Sequence, residues 1–284
     1  KTGLSAFSGG AFGFYLTGKM NITLFLLMVA CAYVINLIAN VANEIHGYMV
    51  REDSGLDDTH SGTNGLSRGV ISLKESFFAL FLVVTLSGIL GLSIVYISGS
   101  YLILILGLMS VAAAILYSLT PFAFIKYPIN EAVSGIFCGG VSAFSGALLQ
   151  TGEVTLDIIL FAVIISIATN FLMAVNNTAD YHKDLENRFT LPHLIGFRNS
   201  MKLNVFEMVI LVVVSFFINF HISTYIILFG IVYYFGYVNW LKGYMKIKEP
   251  YFTMKGEWIT KALAFHVSMN ILLGLNFLIL GLLN

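Results

Sequence analysis

The run ITLFLLMVACAYVINLIANVANE, Ile22 to Glu44, decides the fold class. No residue between Lys19 and Glu44 carries a charge. At about 1.5 Å of rise per residue, such a helix crosses the roughly 30 Å hydrocarbon core of a bilayer. Its second half is unusual. Asn36, Asn40 and Glu44 fall on one stripe at four-residue spacing, with Asn43 beside them. Glu52, Asp53, Asp57 and Asp58 follow in the next loop. Amides inside an apolar run are costly unless something pairs with them, so this helix end asks for a partner.

The rest of the chain repeats the pattern of apolar runs between polar breaks. It has 284 residues, 58% hydrophobic and 11% charged, with a mean hydropathy of +0.87. A soluble domain carries about 25% charged residues. The composition therefore excludes soluble globular, disordered and disulfide-scaffold classes and defines a polytopic, all-α membrane protein. Nine helices are expected, over 3–17, 22–47, 73–97, 101–119, 130–150, 156–179, 203–220, 222–241 and 261–283, forming a single transmembrane domain over 1–284. The first run is short and glycine-rich for a full span. Cys31 and Cys138 lie in apolar runs and read as small hydrophobes.

Charge asymmetry sets the orientation. If the N-terminus is inside, loops 48–72, 120–129, 180–202 and 242–260 are cytoplasmic. Counted with adjoining helix ends, that side holds fourteen of the fifteen Lys and Arg residues, all but Lys19. Lysine and arginine accumulate on the cytoplasmic side. Tyr233, Tyr234, Tyr237 and Trp240 read as an interfacial belt. His46, His60, His182 and His193 read as solvated loop side chains. No carboxylate or base is expected deep in mid-helix, which argues against an ion-coupled transporter.

A second polar helix end rhymes with the first. In FLMAVNNTADYHKDLENRFTLPHLIG, Asn176, Asp180 and Asp184 share one stripe, and Asn170 and Asn177 lie nearby. Two carboxylates and an amide suit an oxygen-ligated cation such as Mg²⁺, which prefers few protein carboxylates and takes phosphate oxygens as further ligands. The plainer alternative is a solvated acidic terminus. Paired acidic ends facing one cavity suggest a diphosphate carried on a lipid chain. Arg68, Lys126, Lys183 and Arg188 are candidate counter-charges, although the inside-positive bias accounts for each equally well. Lys126 stands out because its loop is otherwise nearly uncharged.

Four stretches, NVANE…SGLDD, NGLSRGVIS, YSLTPFAFIKYPINEAVSGIFCGGVSAFSGALLQTGEVT and AVNNTADYHKDLENRFTLPHLIG, occur in the order of a known family. Over about residues 36–196 the chain resembles the UbiA superfamily of intramembrane prenyltransferases, most closely its 1,4-dihydroxy-2-naphthoate polyprenyltransferases of menaquinone biosynthesis. The resemblance implies nine helices around a central cavity capped by loops 48–72 and 180–202. It implies Mg²⁺, an isoprenyl diphosphate donor, an aromatic acceptor, and a bacterial or archaeal plasma membrane with the site facing the cytoplasm. It assigns Asp180, Asp184 and Asn43 to the metal–diphosphate site and Lys126 to diphosphate. Asn176, Arg68 and Lys183 are further diphosphate candidates, and Tyr117 is a candidate aromatic face for an allylic cation, with ordinary packing the alternative. The pattern departs at Gly47, where the family has aspartate, so Glu44, Asp53 or Asp57 would replace that ligand. Cyclisation without an acceptor, and lipid binding without catalysis, are the competing readings.

Overall fold

A computed structural model describes residues 1–54, 65–66, 69–119, 123–185, 188–222, 243–244, 246 and 255–283, with backbone alone for 50–54, 183, 215–222 and 255–257. All regular structure among these residues is helical. The long helices are α1 (Thr2–Thr17), α2 (Ile22–Ser54), α3 (Leu73–Ser98), α4 (Tyr101–Leu116), α5 (Asn130–Thr151), α6 (Leu156–Ala179), α7 (Phe197–Ile222) and α8 (Lys255–Leu283). Within α2, α3, α5, α6 and α8 the stretches are long and apolar enough to cross a membrane. The protein is an all-α integral membrane protein.

Local chemistry sets the helix ends. Ser72 and Glu75 form a reciprocal capping box that starts α3. Gly99 ends that helix at φ 66°, and the Ser100 hydroxyl then caps α4. Gly152 at φ 75° and the Thr155 cap make the turn between α5 and α6 in the same way. These caps allow connections of only a few residues, so α3–α4 and α5–α6 are antiparallel neighbours.

Burial ranks the helices. The most apolar window of α5 is 61% buried and that of α6 56%, against 17% for α3, whose Phe77, Phe78, Phe81 and Ile89 face outward. Lipid tails are as apolar as leucine, so helices associate by close packing rather than by escape from water. The glycines of α1 serve that packing. A Cβ on Gly13 would meet the Ala147 carbonyl oxygen at 2.6 Å, and one on Gly9 or Gly146 would collide with the facing backbone of Ala143 or Ala6. The glycine-rich opening run is therefore a helix in tight contact with α5. On the other side of α6, Phe161, Phe171, Phe265, Phe277 and Met208 form the main core with α7 and α8. In mid-course α5 widens into a π turn over Gly135–Val141. The Ser142 hydroxyl donates to the Phe137 carbonyl at 3.1 Å there.

Several boundaries differ from the sequence reading. α2 runs to Ser54, α7 begins at Phe197 rather than 203, and α8 at Lys255 rather than 261, while α4 stops at Leu116. Within α7 and α8 two ionisable groups face the bundle interior, against the expectation of none in mid-helix. Glu207 of α7 accepts from Asn170 at 2.6 Å, and His266 of α8 is fully buried. The expected helix 222–241 and its belt of Tyr233, Tyr234, Tyr237 and Trp240 lie outside the described residues.

Candidate active site

A cavity of about 310 Å³ opens between α2, α4, α5 and α6. Its polar end is lined by Asn36, Asn40 and Asn43 of α2, Asn176 and Asn177 of α6, and Arg188. The two helix ends singled out in the sequence thus face one space. Tyr117 stands beside it at the end of α4. The remaining wall is largely apolar, with Met28, Ile94, Ile103, Leu106, Phe137 and Leu172. Cys31 and Cys138, far apart in sequence, both line this wall, Cys138 from the π turn of α5. Such turns are frequent at functional sites because they re-aim the side chains they carry.

At the end of α6 the acidic stripe survives a break in the helix. Asp180 has φ −88° and ψ 9°, outside regular helix, and a one-turn helix resumes over Tyr181–Asp184. The four-residue ladder nevertheless runs through, from Asp180 N–H to Asn176 O at 3.0 Å, Asp184 N–H to Asp180 O at 2.9 Å and Arg188 N–H to Asp184 O at 2.8 Å. Asn176, Asp180, Asp184 and Arg188 keep one register. Asp180 and Asp184 are 6% and 5% exposed, so they are not a solvated acidic terminus.

The Lys126 turn is tied to this stripe at two points. Its carbonyl accepts the Phe189 N–H at 3.0 Å, and the preceding Ile125 carbonyl accepts from Asn130 Nδ2 at 3.2 Å. Asn130 and its neighbour Glu131, 0% and 1% exposed, each accept from Asn177 Nδ2, at 2.8 and 2.7 Å. The Ile125 N–H closes onto the Tyr117 carbonyl at 2.9 Å. His193 is likewise structural rather than a solvated loop side chain. Its Nε2 lies 2.6 Å from the Tyr181 carbonyl, which can only accept, so Nε2 carries the proton and Nδ1 accepts the Thr190 N–H at 3.0 Å. The ring therefore pins the one-turn helix to the TLPHLIG segment.

Other expected residues are placed differently. Lys126 is partly buried on its turn but does not line the cavity, whereas Arg188 does. Glu44 Oε1 accepts the Leu66 N–H at 3.1 Å, fastening residues 65–66 to α2, and Glu44 is not in the cavity wall. Asp57 and Arg68, and the side chains of Asp53 and Lys183, lie outside the described residues. Asn130 and Glu131 were missed. A lone acid opening an apolar run reads as an ordinary first-turn residue, favourable to the helix dipole, and only its spacing to the Lys126 turn hinted at more.

The donor set fits Mg²⁺. Two buried carboxylates and nearby amide oxygens are hard ligands, and Mg²⁺ takes one or two carboxylates and fills the rest of its shell with water and phosphate oxygens. Among the described residues no group of three or more His, Cys, Asp or Glu could cage a metal alone. An ion held here would therefore share its coordination with a ligand.

An all-helical membrane bundle with a cavity between two asparagine-bearing helix ends, Asp180 and Asp184 following the second without lining the cavity, places the chain in a family of known architecture. It belongs to the UbiA prenyltransferase family, whose model matches residues 4–254. Among curated proteins it is similar to the 1,4-dihydroxy-2-naphthoate octaprenyltransferase of Bacillus subtilis (strain 168), 28% identical over 65% of this chain and 59% of that protein. It is also similar to the enzyme of that name from Escherichia coli (strain K12), 28% identical over 57% of this chain and 54% of that one. The matched stretch thus spans a little over half the length of these relatives. Among solved structures, a UbiA homolog from Archaeoglobus fulgidus bound to GPP and Mg²⁺ shares the fold with a TM-score of 0.68, covering 97% of this chain and 95% of that one at 16% identity. A digeranylgeranylglyceryl phosphate synthase structure matches with a TM-score of 0.64 over 99% of this chain and 94% of that one, at 17% identity.

Proposed function

We propose that the protein transfers a prenyl group from an isoprenyl diphosphate to an aromatic acceptor, 1,4-dihydroxy-2-naphthoate, in an Mg²⁺-dependent reaction of menaquinone synthesis. The observation that carries the reading is the polarity of the cavity, with amides and Arg188 at one end and apolar side chains beyond. A molecule with a diphosphate head and a hydrocarbon tail matches both ends.

Asp180 and Asp184 would hold Mg²⁺ on the α6 stripe, with Asn43 and Asn176 supplying amide groups at the mouth. When bound, Mg²⁺ supplies positive charge against the leaving diphosphate. Arg188 adds fixed charge on the same side, and its guanidinium can take two phosphate oxygens at once. Charge stabilisation of this kind at a developing anion is a large catalytic effect in a site screened from water. Lys126 acts from the rim, held by its turn. As the C–O bond breaks, the allylic carbon becomes electron-poor, and the Tyr117 ring offers it an electron-rich face. The acceptor ring then forms the new C–C bond and loses its carboxylate as carbon dioxide. The relatives' shared name supports the acceptor, and the inside-positive charge bias supports a site facing the cytoplasm.

Purified protein incubated with Mg²⁺, radiolabelled polyprenyl diphosphate and 1,4-dihydroxy-2-naphthoate should yield a labelled lipophilic quinone precursor. Diphosphate release that does not depend on the acceptor would overturn this assignment in favour of cyclisation.

A further inference from the structure

Asn177 spends both amide hydrogens on the start of α5, and the consequence reaches along the α6 side of the cavity's polar end. From Asn177 the links pass to Asn130 and Glu131, and through Asn130 Nδ2 to the Ile125 carbonyl. They continue from the Lys126 carbonyl to Phe189 N–H, and back along the backbone ladder through Arg188, Asp184 and Asp180 to Asn176. This circuit is closed and carries both acids and both cations of the proposed site. Only two of its links join separate elements by hydrogen bonds alone, Phe189 to Lys126 and Asn177 to the Asn130–Glu131 pair. At the second link Glu131 is 1% exposed and the shorter contact, 2.7 Å, is the one to its carboxyl oxygen.

We propose that Glu131, outside the cavity wall, is a positioning residue for the diphosphate site, locking the α6 acids and the Lys126–Arg188 segment into one register through Asn177. The inference rests on the reading of the polar mouth as a metal–diphosphate site. Burial makes the lock effective. An acceptor removed from water leaves its donor hydrogen with no substitute, so losing it leaves Asn177 held to α5 through the Asn130 contact and loosens the circuit at that link. Glutamine keeps Oε1 in place and preserves the link. Aspartate keeps the carboxylate but withdraws it by about one C–C bond, roughly 1.5 Å. That takes the contact beyond hydrogen-bonding distance.

The test compares wild type, Glu131→Gln, Glu131→Asp and Glu131→Ala as full chains in detergent. Binding of inorganic pyrophosphate with Mg²⁺ is measured by calorimetry, the donor KM and kcat by turnover, and folding by thermal melting. Glu131→Gln should stay within about twofold of wild type. Glu131→Asp and Glu131→Ala should weaken Mg²⁺–pyrophosphate binding by about tenfold, or about 1.4 kcal/mol, and raise the donor KM in step. If Glu131→Ala yields no folded protein, the Glu131→Asp result decides. A lower melting temperature with unchanged pyrophosphate affinity in the folded fraction means a merely structural role and overturns the proposal. Wild type that binds no pyrophosphate overturns the diphosphate reading itself, and this proposal with it.

Discussion

At the scale of single residues, charge and reach can be separated because Asp180, Asp184 and Arg188 share one register. Asp180→Asn and Asp184→Asn keep side-chain size but remove the negative charge a bridging cation needs. Each should lower kcat/KM by at least about a hundredfold, or about 2.7 kcal/mol of transition-state stabilisation. Melting temperatures should stay within a few degrees. Turnover near wild type in either variant would exclude the α6 stripe from catalysis. At Arg188 the contrast is between Lys and Gln. Arg188→Lys keeps the charge but loses the two-pronged geometry, so the donor KM should rise severalfold. Arg188→Gln loses both and should raise it by about tenfold or more. Equal KM values in all three proteins would remove Arg188 from donor binding. Sequence spacing revealed the acids and amides, since four-residue repeats on a helix need no tertiary information. It could not rank Arg188 over Lys126. That order depends on the Phe189–Lys126 backbone pairing, which holds the Lys126 turn beside the stripe while Arg188 enters the cavity wall.

At the scale of elements, the α1–α5 contact gives the sharpest consequence. Gly146 packs so closely on α1 that an added Cβ would sit 2.9 Å from the Gly10 nitrogen and collide with the Ala6 carbonyl oxygen. Backbone atoms cannot swing aside as a side chain can, so Gly146→Ala must push α1 away. Overpacking of this kind costs about 1–3 kcal/mol. Gly88, on the outer helix α3, has nothing within 4 Å of a built Cβ. Gly88→Ala should be neutral or stabilising by up to about 1 kcal/mol, because alanine favours helix. Thermal melting in one detergent checks the pair, and equal stability of both variants would show that the α1–α5 seam does not hold the bundle. The short turns of α3–α4 and α5–α6 were legible in advance as Ser, Thr and Gly caps. The seam was not, because glycine in an apolar run signals a weak helix unless its facing helix is known, and Ala143, Gly146 and Ala147 lie about 135 residues away. The π turn of α5 escaped the sequence for a related reason. Its glycines fit against the Ile165 and Ser166 carbonyls and the Thr169 side chain of α6, a match no local pattern announces.

For the whole molecule, the placement of polar chemistry on one side follows from both charge and fold. The Asn176–Arg188 stripe, the Lys126 turn and the Glu44–Leu66 link gather at the ends of α2, α4 and α6, where lysines and arginines also collect. The opposite side offers short capped turns such as Gly152–Thr155. An isoprenyl diphosphate made in the cytoplasm would reach its site only if that charged side is cytoplasmic, so orientation is part of the function. It can be read with single cysteines in a chain whose Cys31 and Cys138 have been replaced by alanine. Tyr127→Cys places an exposed thiol beside the Lys126 turn, and Glu153→Cys places one on the α5–α6 turn across the membrane. A membrane-impermeant maleimide should label the Tyr127→Cys protein in inside-out vesicles and the Glu153→Cys protein in right-side-out cells or vesicles, with little labelling in the reverse pairings. The reverse pattern would put the acidic stripe on the outer face, away from a cytoplasmic diphosphate, and would overturn the orientation while leaving the fold intact.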